Sequence, residues 1–343
     1  MKILYAIQGT GNGHLARATE IVPLLKTMAY TDVLVSGTQA DLQVPFRIDY
    51  RFTGISFIIG QSGGVDLKKT VKSLSPRKFV SDVMSLPVQR YDLVISDFEP
   101  VSAWACLVKG KICIGLSHQN AVLHPSAPRP ESNDPFGKFI LKNYAPSTFR
   151  YGFNFEPHGD AIFPPVIRPA VRNVHPSDHG HYTVYLPSYS DRQISIVLKK
   201  IPDIHWEVFS KHAQKEYLES NIHFSPVSFQ SYTESLLNCS GLLCNAGFEG
   251  PAEAIFLGKK LCVIPMKGQY EQHCNAAFLK NMGIQVLDHF SNSAMVLHEW
   301  ITNSDPLKIR FPDLTRLVLE RLMTRHATPD VIPGARSDAG IST

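Results

Sequence analysis

Apolar runs of strand length alternate with helical stripes along this chain. Residues 2–7 form one such run, and residues 15–28 follow with apolar side chains at helical spacing (Leu15, Ala18, Ile21, Val22, Leu25). Residues 32–35, ending in Ser36-Gly37, read as a second strand, and residues 92–95 and 112–115 as further short buried strands. The pattern begins again after residue 180. Residues 182–186, 205–209, 241–243 and 261–264 have strand character, while 249–257 and 273–282 have helical character. Residues 313–325 have the spacing of a late amphipathic helix. Strands that are apolar on both faces lie in parallel sheets covered by helices on both sides. The pattern therefore predicts an α/β protein with the plan used twice.

Between the two stretches the periodicity is lost in a proline-rich passage, from Pro157 through Pro164-Pro165 to Pro169. This sets a boundary near residue 165, with an N-terminal Rossmann-like domain over 1–165 and a C-terminal one over 166–326. The last residues, 327–343, are rich in Pro, Gly, Ser and Asp and read as a flexible tail. A length of 343 residues suits two domains of ordinary size.

Composition narrows the class. The chain is 44% hydrophobic and 19% charged, as expected of a globular protein with real cores. A net charge of +4 suits an anionic small molecule and is too small to argue for nucleic acid. The six cysteines (106, 113, 239, 244, 262 and 274) form no CxxC pair and sit mostly in apolar stretches, so buried reduced thiols and a cytoplasmic setting are expected. No stretch approaches the ~18 apolar residues of a spanning helix. The run at 3–7 leads straight into a glycine turn and has no signal-peptide h-region.

That turn, Gly9-Thr10-Gly11-Asn12-Gly13-His14, joins the first strand to the first helix. Gly11 and Gly13 permit a tight turn and leave the helix N-terminus open to an anion. A dinucleotide fingerprint wants Gly where His14 stands, and an acidic residue where the second strand ends in Ser36-Gly37. His14 lies at the carboxyl edge of the sheet, where open α/β proteins bind ligands, and neutral imidazole can take a proton from a hydroxyl; capping or packing the helix start is the alternative. Asp97 and Glu99 follow the strand at 93–95. A carboxylate there either orients His14 or caps the next helix.

The most informative stretch runs from Cys244 to Gly283. Asn245-Ala246-Gly247-Phe248 is a small-residue turn before a helix whose first amides are open to a diphosphate. Glu253, one turn in, is placed to accept hydrogen bonds from both ribose hydroxyls. Gln269, Glu271 and Gln272 cluster at the next strand–helix junction and can read sugar hydroxyls, with Asn275 bracing the helix.

With these residues the chain resembles GT-B glycosyltransferases, closest to the branch of the lipid II-forming N-acetylglucosaminyltransferase and the diglyceride sugar transferases. Residues 9–17, Ser117-His118-Gln119-Asn120 and residues 245–283 carry the resemblance. It implies two Rossmann-like domains facing across a cleft, with donor on the C-terminal one and acceptor on the other. It implies that His14 is near the reacting hydroxyl, where it is read as catalytic base assisted by Asp97. His118, Gln119 and Asn120 are read on the acceptor side, with a structural hydrogen-bonding role as the alternative for His118. The resemblance implies a donor site of Gly11, Gly13, Ser188, Gly247, Phe248, Glu253, Gln269, Glu271, Gln272 and Asn275. It also implies a metal-independent, inverting enzyme whose nucleotide-sugar, expected to be a UDP-sugar, is a substrate, with no cofactor, in cell-envelope or capsule glycan synthesis. No Asp-x-Asp pair occurs in the chain. Gly250 departs from the Thr frequent in the family, and Pro187-Ser188-Tyr189-Ser190 stands where a glycine-rich loop is expected. Phe229, Gln230 and Tyr232 are candidates for reading the base.

Two further readings stay open. Lys68, Lys69, Lys72, Arg77 and Lys78, with the aromatic residues from Phe136 to Phe155, form either a basic apolar surface for an anionic membrane or a lipid-linked acceptor, or a solvated face over core aromatics. The first would place the protein peripherally at the inner membrane face. A sugar-nucleotide epimerase and a non-catalytic nucleotide-sugar-binding subunit are the rivals to a transferase. Donor sugar, acceptor and oligomeric state are not legible.

Overall fold

The computed structural model describes residues 1–37, 44–55, 60, 63–64, 75–130 and 134–326. The expected tail, and Lys68, Lys69 and Lys72, lie outside them. Two seven-stranded sheets form the two halves of the molecule. The first contains β1 (Lys2–Gln8), β2 (Tyr30–Ser36), β3 (Tyr50–Phe52), β4 (Leu93–Asp97), β5 (Cys113–Leu116), β6 (Phe149–Phe153) and β7 (Ile162–Phe163), in the order 3-2-1-4-5-6-7, all parallel. The second contains β8 (Tyr182–Tyr185), β9 (Trp206–Ser210), β10 (Tyr217–Glu219), β11 (Ile222–Pro226), β12 (Gly241–Asn245), β13 (Lys260–Ile264) and β14 (Gln285–Val286), in the order 10-11-9-8-12-13-14. Only the edge strand β10 runs antiparallel. This is the two-domain α/β architecture of the GT-B fold.

Helices supply the crossovers. In the first half these are α1 (Gly13–Met28), α2 (Pro76–Ser85), α3 (Pro100–Val108), α4 (His118–Val122) and α5 (Pro135–Asn143). In the second half they are α6 (Pro169–Arg172), α7 (Asp191–Leu198), α8 (Phe229–Asn238), α9 (Glu249–Leu257), α10 (Tyr270–Asn281), α11 (Ala294–Asn303) and α12 (Thr315–His326). The chain passes from one sheet to the other between Phe163 and Tyr182. Helix α12 returns to the first half, where His326 meets the Tyr151 hydroxyl at 2.9 Å and packs on the Phe149 ring.

The topology dictates where a ligand can sit. Strand order reverses direction between β1 and β4 and again between β8 and β12, and crevices open at the carboxyl ends of such strand pairs. Both crevices face the gap between the halves. Part of that interface is apolar: Phe155 packs against Phe248 and Phe278 at ring separations of 5.0 and 5.7 Å. Burying rings of this size contributes roughly 1.5–3 kcal/mol each, enough to hold the halves in contact. The six cysteines are all buried thiols.

The aromatic stretch 149–155 is strand β6 and its continuation. Tyr151, Phe153 and Phe155 are buried in the core, the second of the two readings open for this stretch. Tyr144 is buried too, hydrogen-bonded by the Gln8 amide at 2.6 Å. Only Phe136 and Phe139, on α5, remain at the surface, 68% and 64% exposed.

Candidate active site

Strand β1 ends in the glycine turn, and α1 starts at its far side. Gly11 has φ +96°, a conformation glycine adopts without strain. His14, in the first turn of α1, points across the first crevice to the end of β4, where its Nδ1 lies 2.8 Å from Asp97 Oδ1. Asp97 is fully buried and its acceptor sites are filled. Oδ1 takes His14 and Arg17 Nη2 (2.6 Å), and Oδ2 takes Arg17 Nε (3.1 Å) and the Tyr5 hydroxyl (3.3 Å). A carboxylate so enclosed orients and charges its neighbours. With Nδ1–H donating to Asp97, the lone pair of His14 is on Nε2. The Gln119 amide nitrogen faces that lone pair at 3.2 Å and donates its other hydrogen to Glu271 Oε2 at 2.9 Å.

The same neighbours shift the titration of both groups. Burial alone pulls the His14 pKa down, but the Asp97 charge and hydrogen bond outweigh it and leave it above 6.5. Burial pushes the Asp97 carboxyl up, and Arg17 and His14 bring it below its ordinary value. Glu99, the other carboxylate after β4, caps α3 by accepting from Val101 N and Ser102 N at 2.7 and 2.6 Å. Phe98 between the two acids has φ +55°, a strained geometry for a bulky residue that turns successive side chains to different tasks.

The second crevice lies across the gap. Strand β12 ends in Asn245, Ala246 and Gly247 form the turn, and α9 begins without a side-chain N-cap. A Cβ on Gly247 would find nothing nearer than 4.0 Å, so the glycine keeps the helix mouth open. Beside it is a cleft bounded by Asn12, Gly13 and Ala16 from the first half. Tyr185, Phe229, Tyr232, Glu249, Gly250, Glu253 and Arg168 line it from the second. Of the three base-reading candidates, Phe229 and Tyr232 border this cleft and Gln230 does not. Glu253 is 3% exposed and paired with Arg168, Nε to Oε1 at 2.7 Å and Nη2 to Oε2 at 2.8 Å. Each carboxylate oxygen has acceptor capacity beyond the one bond it takes from Arg168.

Several expected site residues have other tasks in this structure. Ser188 is buried and its hydroxyl donates to Asn245 Oδ1 at 3.0 Å, while Ser190 is the N-cap of α7 in a capping box with Gln193; neither faces the cleft as a phosphate contact. His118, 2% exposed, stacks on Phe248 with ring centroids 3.9 Å apart, and hydrogen-bonds Phe153 O (2.8 Å) and Asn275 Oδ1 (2.7 Å). These three residues join the halves. His118 is therefore not on an open acceptor surface, and Phe248 and Asn275 do not border the cleft. Asn120 donates to Tyr151 O at 3.2 Å and braces β6. Gln272 is buried and accepts from Met266 N at 2.9 Å, shaping the loop before α10. Glu271 and Gln119 meet across the gap, and Gln269 begins α10. The amide oxygens of Gln119 and Gln269 are buried with no hydrogen-bond partner among the described residues, so they offer acceptors to incoming hydroxyls.

Arg17, Glu249, Arg168 and Tyr185 went unnoticed in the sequence. For Arg17 a signal existed: it stands three residues after His14, on the same face of α1. Arg168 sits in the proline-rich passage, where nothing local marks it. Among the described residues no group of three or more His, Cys, Asp or Glu is placed to hold a metal ion.

A sequence model described as Glycosyl transferase family 1 matches residues 1–303. No curated protein matches the chain. Among solved structures, Arabidopsis thaliana UGT89C1 complexed with UDP-L-rhamnose is similar over 95% of this chain and 94% of its own, at 12% identity and a TM-score of 0.54. A UDP-N-acetylglucosamine 2-epimerase is similar over 95% and 96%, at 12% identity and 0.52. The glycotransferase of kitacinnamycin is similar over 95% of both chains, at 16% identity and 0.50. At such identities the likeness is one of fold.

Proposed function

The chain belongs to the glycosyl transferase family 1 whose model spans its residues 1–303, and from that premise we propose that it moves a sugar from a nucleotide-sugar, a UDP-sugar first, to an acceptor hydroxyl, with inversion and without a metal. The acceptor oxygen attacks the anomeric carbon, its proton passes to His14 Nε2, and the bond to the diphosphate breaks on the opposite face. Asp97 stabilises the imidazolium so formed. For this the acceptor hydroxyl replaces the Gln119 amide on Nε2. The leaving diphosphate is met by the open amides of α9, preorganised dipoles that need no reorientation as charge develops. Glu253 holds the ribose, and Glu271 with the amide oxygens of Gln119 and Gln269 addresses the sugar.

The observation that carries this reading is the cleft at the β8/β12 crevice. It is lined by Glu249 and Gly250 of the first turn of α9, by the buried Glu253 one turn further on, and by Gly13, the residue before His14. The branch with lipid-linked acceptors is favoured by the exposed Phe136 and Phe139 beside Lys138 and Lys142.

Calorimetric titration of wild type and Glu253→Gln with UDP and 2′-deoxy-UDP tests the donor half. Gln keeps an acceptor for Arg168, whereas Ala would strand a buried guanidinium. Wild type is expected to bind UDP and to prefer the ribose form. Glu253→Gln is expected to lose that preference and about tenfold in UDP affinity, the scale of a charged hydrogen bond. An unchanged affinity and preference contradicts the assignment. Epimer formed from UDP-N-acetylglucosamine without acceptor would point to the epimerase chemistry instead.

A further inference from the structure

Glu249 is the first residue of α9, so its carboxylate leaves the helix at the mouth assigned above to the diphosphate. It reaches across the gap to Arg17 Nη1 in an ion pair. It also lies against the glycine turn, so closely that a Cβ on Gly13 would stand 2.5 Å from Glu249 Oε2. Three positive ends converge on this one carboxylate: the first turn of α1, the first turn of α9 and the Arg17 guanidinium. Neither helix has a side-chain N-cap hydrogen bond, a condition shared by α2, α6, α10 and α11, so the Glu249 carboxylate is the anion at this junction.

The guanidinium divides its work. Nε and Nη2 are committed to Asp97, at 3.1 and 2.6 Å, and keep that carboxylate in place for His14. Nη1 alone serves Glu249, so it can change partner without disturbing the Asp97–His14 pair. The Glu249 side chain is 20% exposed and borders the cleft, so it has a way out.

We propose that Arg17 binds the donor's diphosphate through Nη1, and that the Glu249 carboxylate is its stand-in while the site holds no nucleotide. This rests on the donor-site reading and adds to it the cation that faces the leaving group. Two anions cannot share the position, and the diphosphate offers more charge and more acceptor oxygens than a carboxylate. Donor binding turns Glu249 out; its return after transfer helps expel the nucleoside diphosphate. Tight grip on the leaving group in the reaction is thereby combined with ready release.

Glu249→Gln keeps the volume and an acceptor for Arg17 but gives up the competing charge. Titration of wild type and this variant with UDP and with uridine separates the effects. UDP affinity is expected to rise on the order of tenfold, within the range of coupling between close charges, while uridine affinity stays the same. Arg17→Lys, which loses the forked Nη1 contact, is expected to weaken UDP several-fold more than uridine. UDP binding that is equal or weaker in Glu249→Gln, or a parallel shift of UDP and uridine, overturns the exchange. Wild type that binds UDP normally while the variants behave alike removes this inference only; wild type that binds neither compound removes the donor site with it.

Discussion

His14 draws its chemistry from two neighbours. Asp97 fixes the tautomer and raises the pKa, and Gln119 marks where a hydroxyl would come to Nε2. His14→Ala is expected to lower transfer by about 10²–10⁴-fold, the usual share of a general base, with UDP affinity within about threefold of wild type; turnover near wild type contradicts the role. The pH profile gives an independent check. A base must be neutral, so the acid limb of kcat/KM, which reports the free enzyme, should titrate above 6.5, because Asp97 outweighs burial and raises the His14 value. In Asp97→Asn that limb should move to lower pH while the plateau falls. The same substitution strips a buried guanidinium of its partner, so a lower Tm is expected as well. At this scale the sequence was partly legible. His14 and Asp97 could be paired because one opens the helix after β1 and the other ends β4, at the same edge of one sheet. Glu253 and Arg168 could not, since Arg168 sits in the proline-rich passage, where no strand end places it.

Among the elements, the mouth of α9 decides most. Gly247 is not in a positive-φ conformation and has open space before it, so nothing in the fold itself asks for glycine there. Gly247→Ala should leave the Tm within a few degrees of wild type. Its methyl group intrudes where the diphosphate is placed, so UDP affinity should fall several-fold; unchanged affinity would show that the ligand lies elsewhere. The long parallel strands and their crossover helices were readable because they are apolar through and through or striped at helical spacing. Two stretches allowed competing readings. Phe149, Tyr151 and Phe153 alternate with period two, the mark of a strand, and Tyr151 and Phe153 are core residues, as one of the two readings held. Ser190-Asp191-Arg192-Gln193 carries a capping-box spacing, which competes directly with a phosphate-loop reading and prevails here.

For the whole molecule, the proposed function has each half supply part of one site. His14, Asp97 and Arg17 come from the first sheet and its helices, and the helix mouth, Glu253 and Glu271 from the second. Pairs such as His118–Asn275 and Gln119–Glu271 tie the halves across the gap, and sequence alone has no means of pairing residues 157 and 152 positions apart. Helix α5, with Phe136 and Phe139 exposed, packs on α10 at this gap. No helix among the described residues is long and apolar enough to cross a membrane. The proposed lipid-linked acceptor is met through the exposed Phe136 and Phe139. Phe136→Ser/Phe139→Ser should then reduce sedimentation with phosphatidylglycerol vesicles several-fold and leave UDP affinity unchanged; equal sedimentation would remove the lipid reading. The most direct test of the account as a whole is a crystal structure of the chain with UDP. The diphosphate is expected at the first turn of α9, with the ribose hydroxyls on Glu253 and Glu249 turned away from Arg17. Nucleotide bound elsewhere, or the Arg17–Glu249 and α9 corner left unchanged with UDP present, would contradict it.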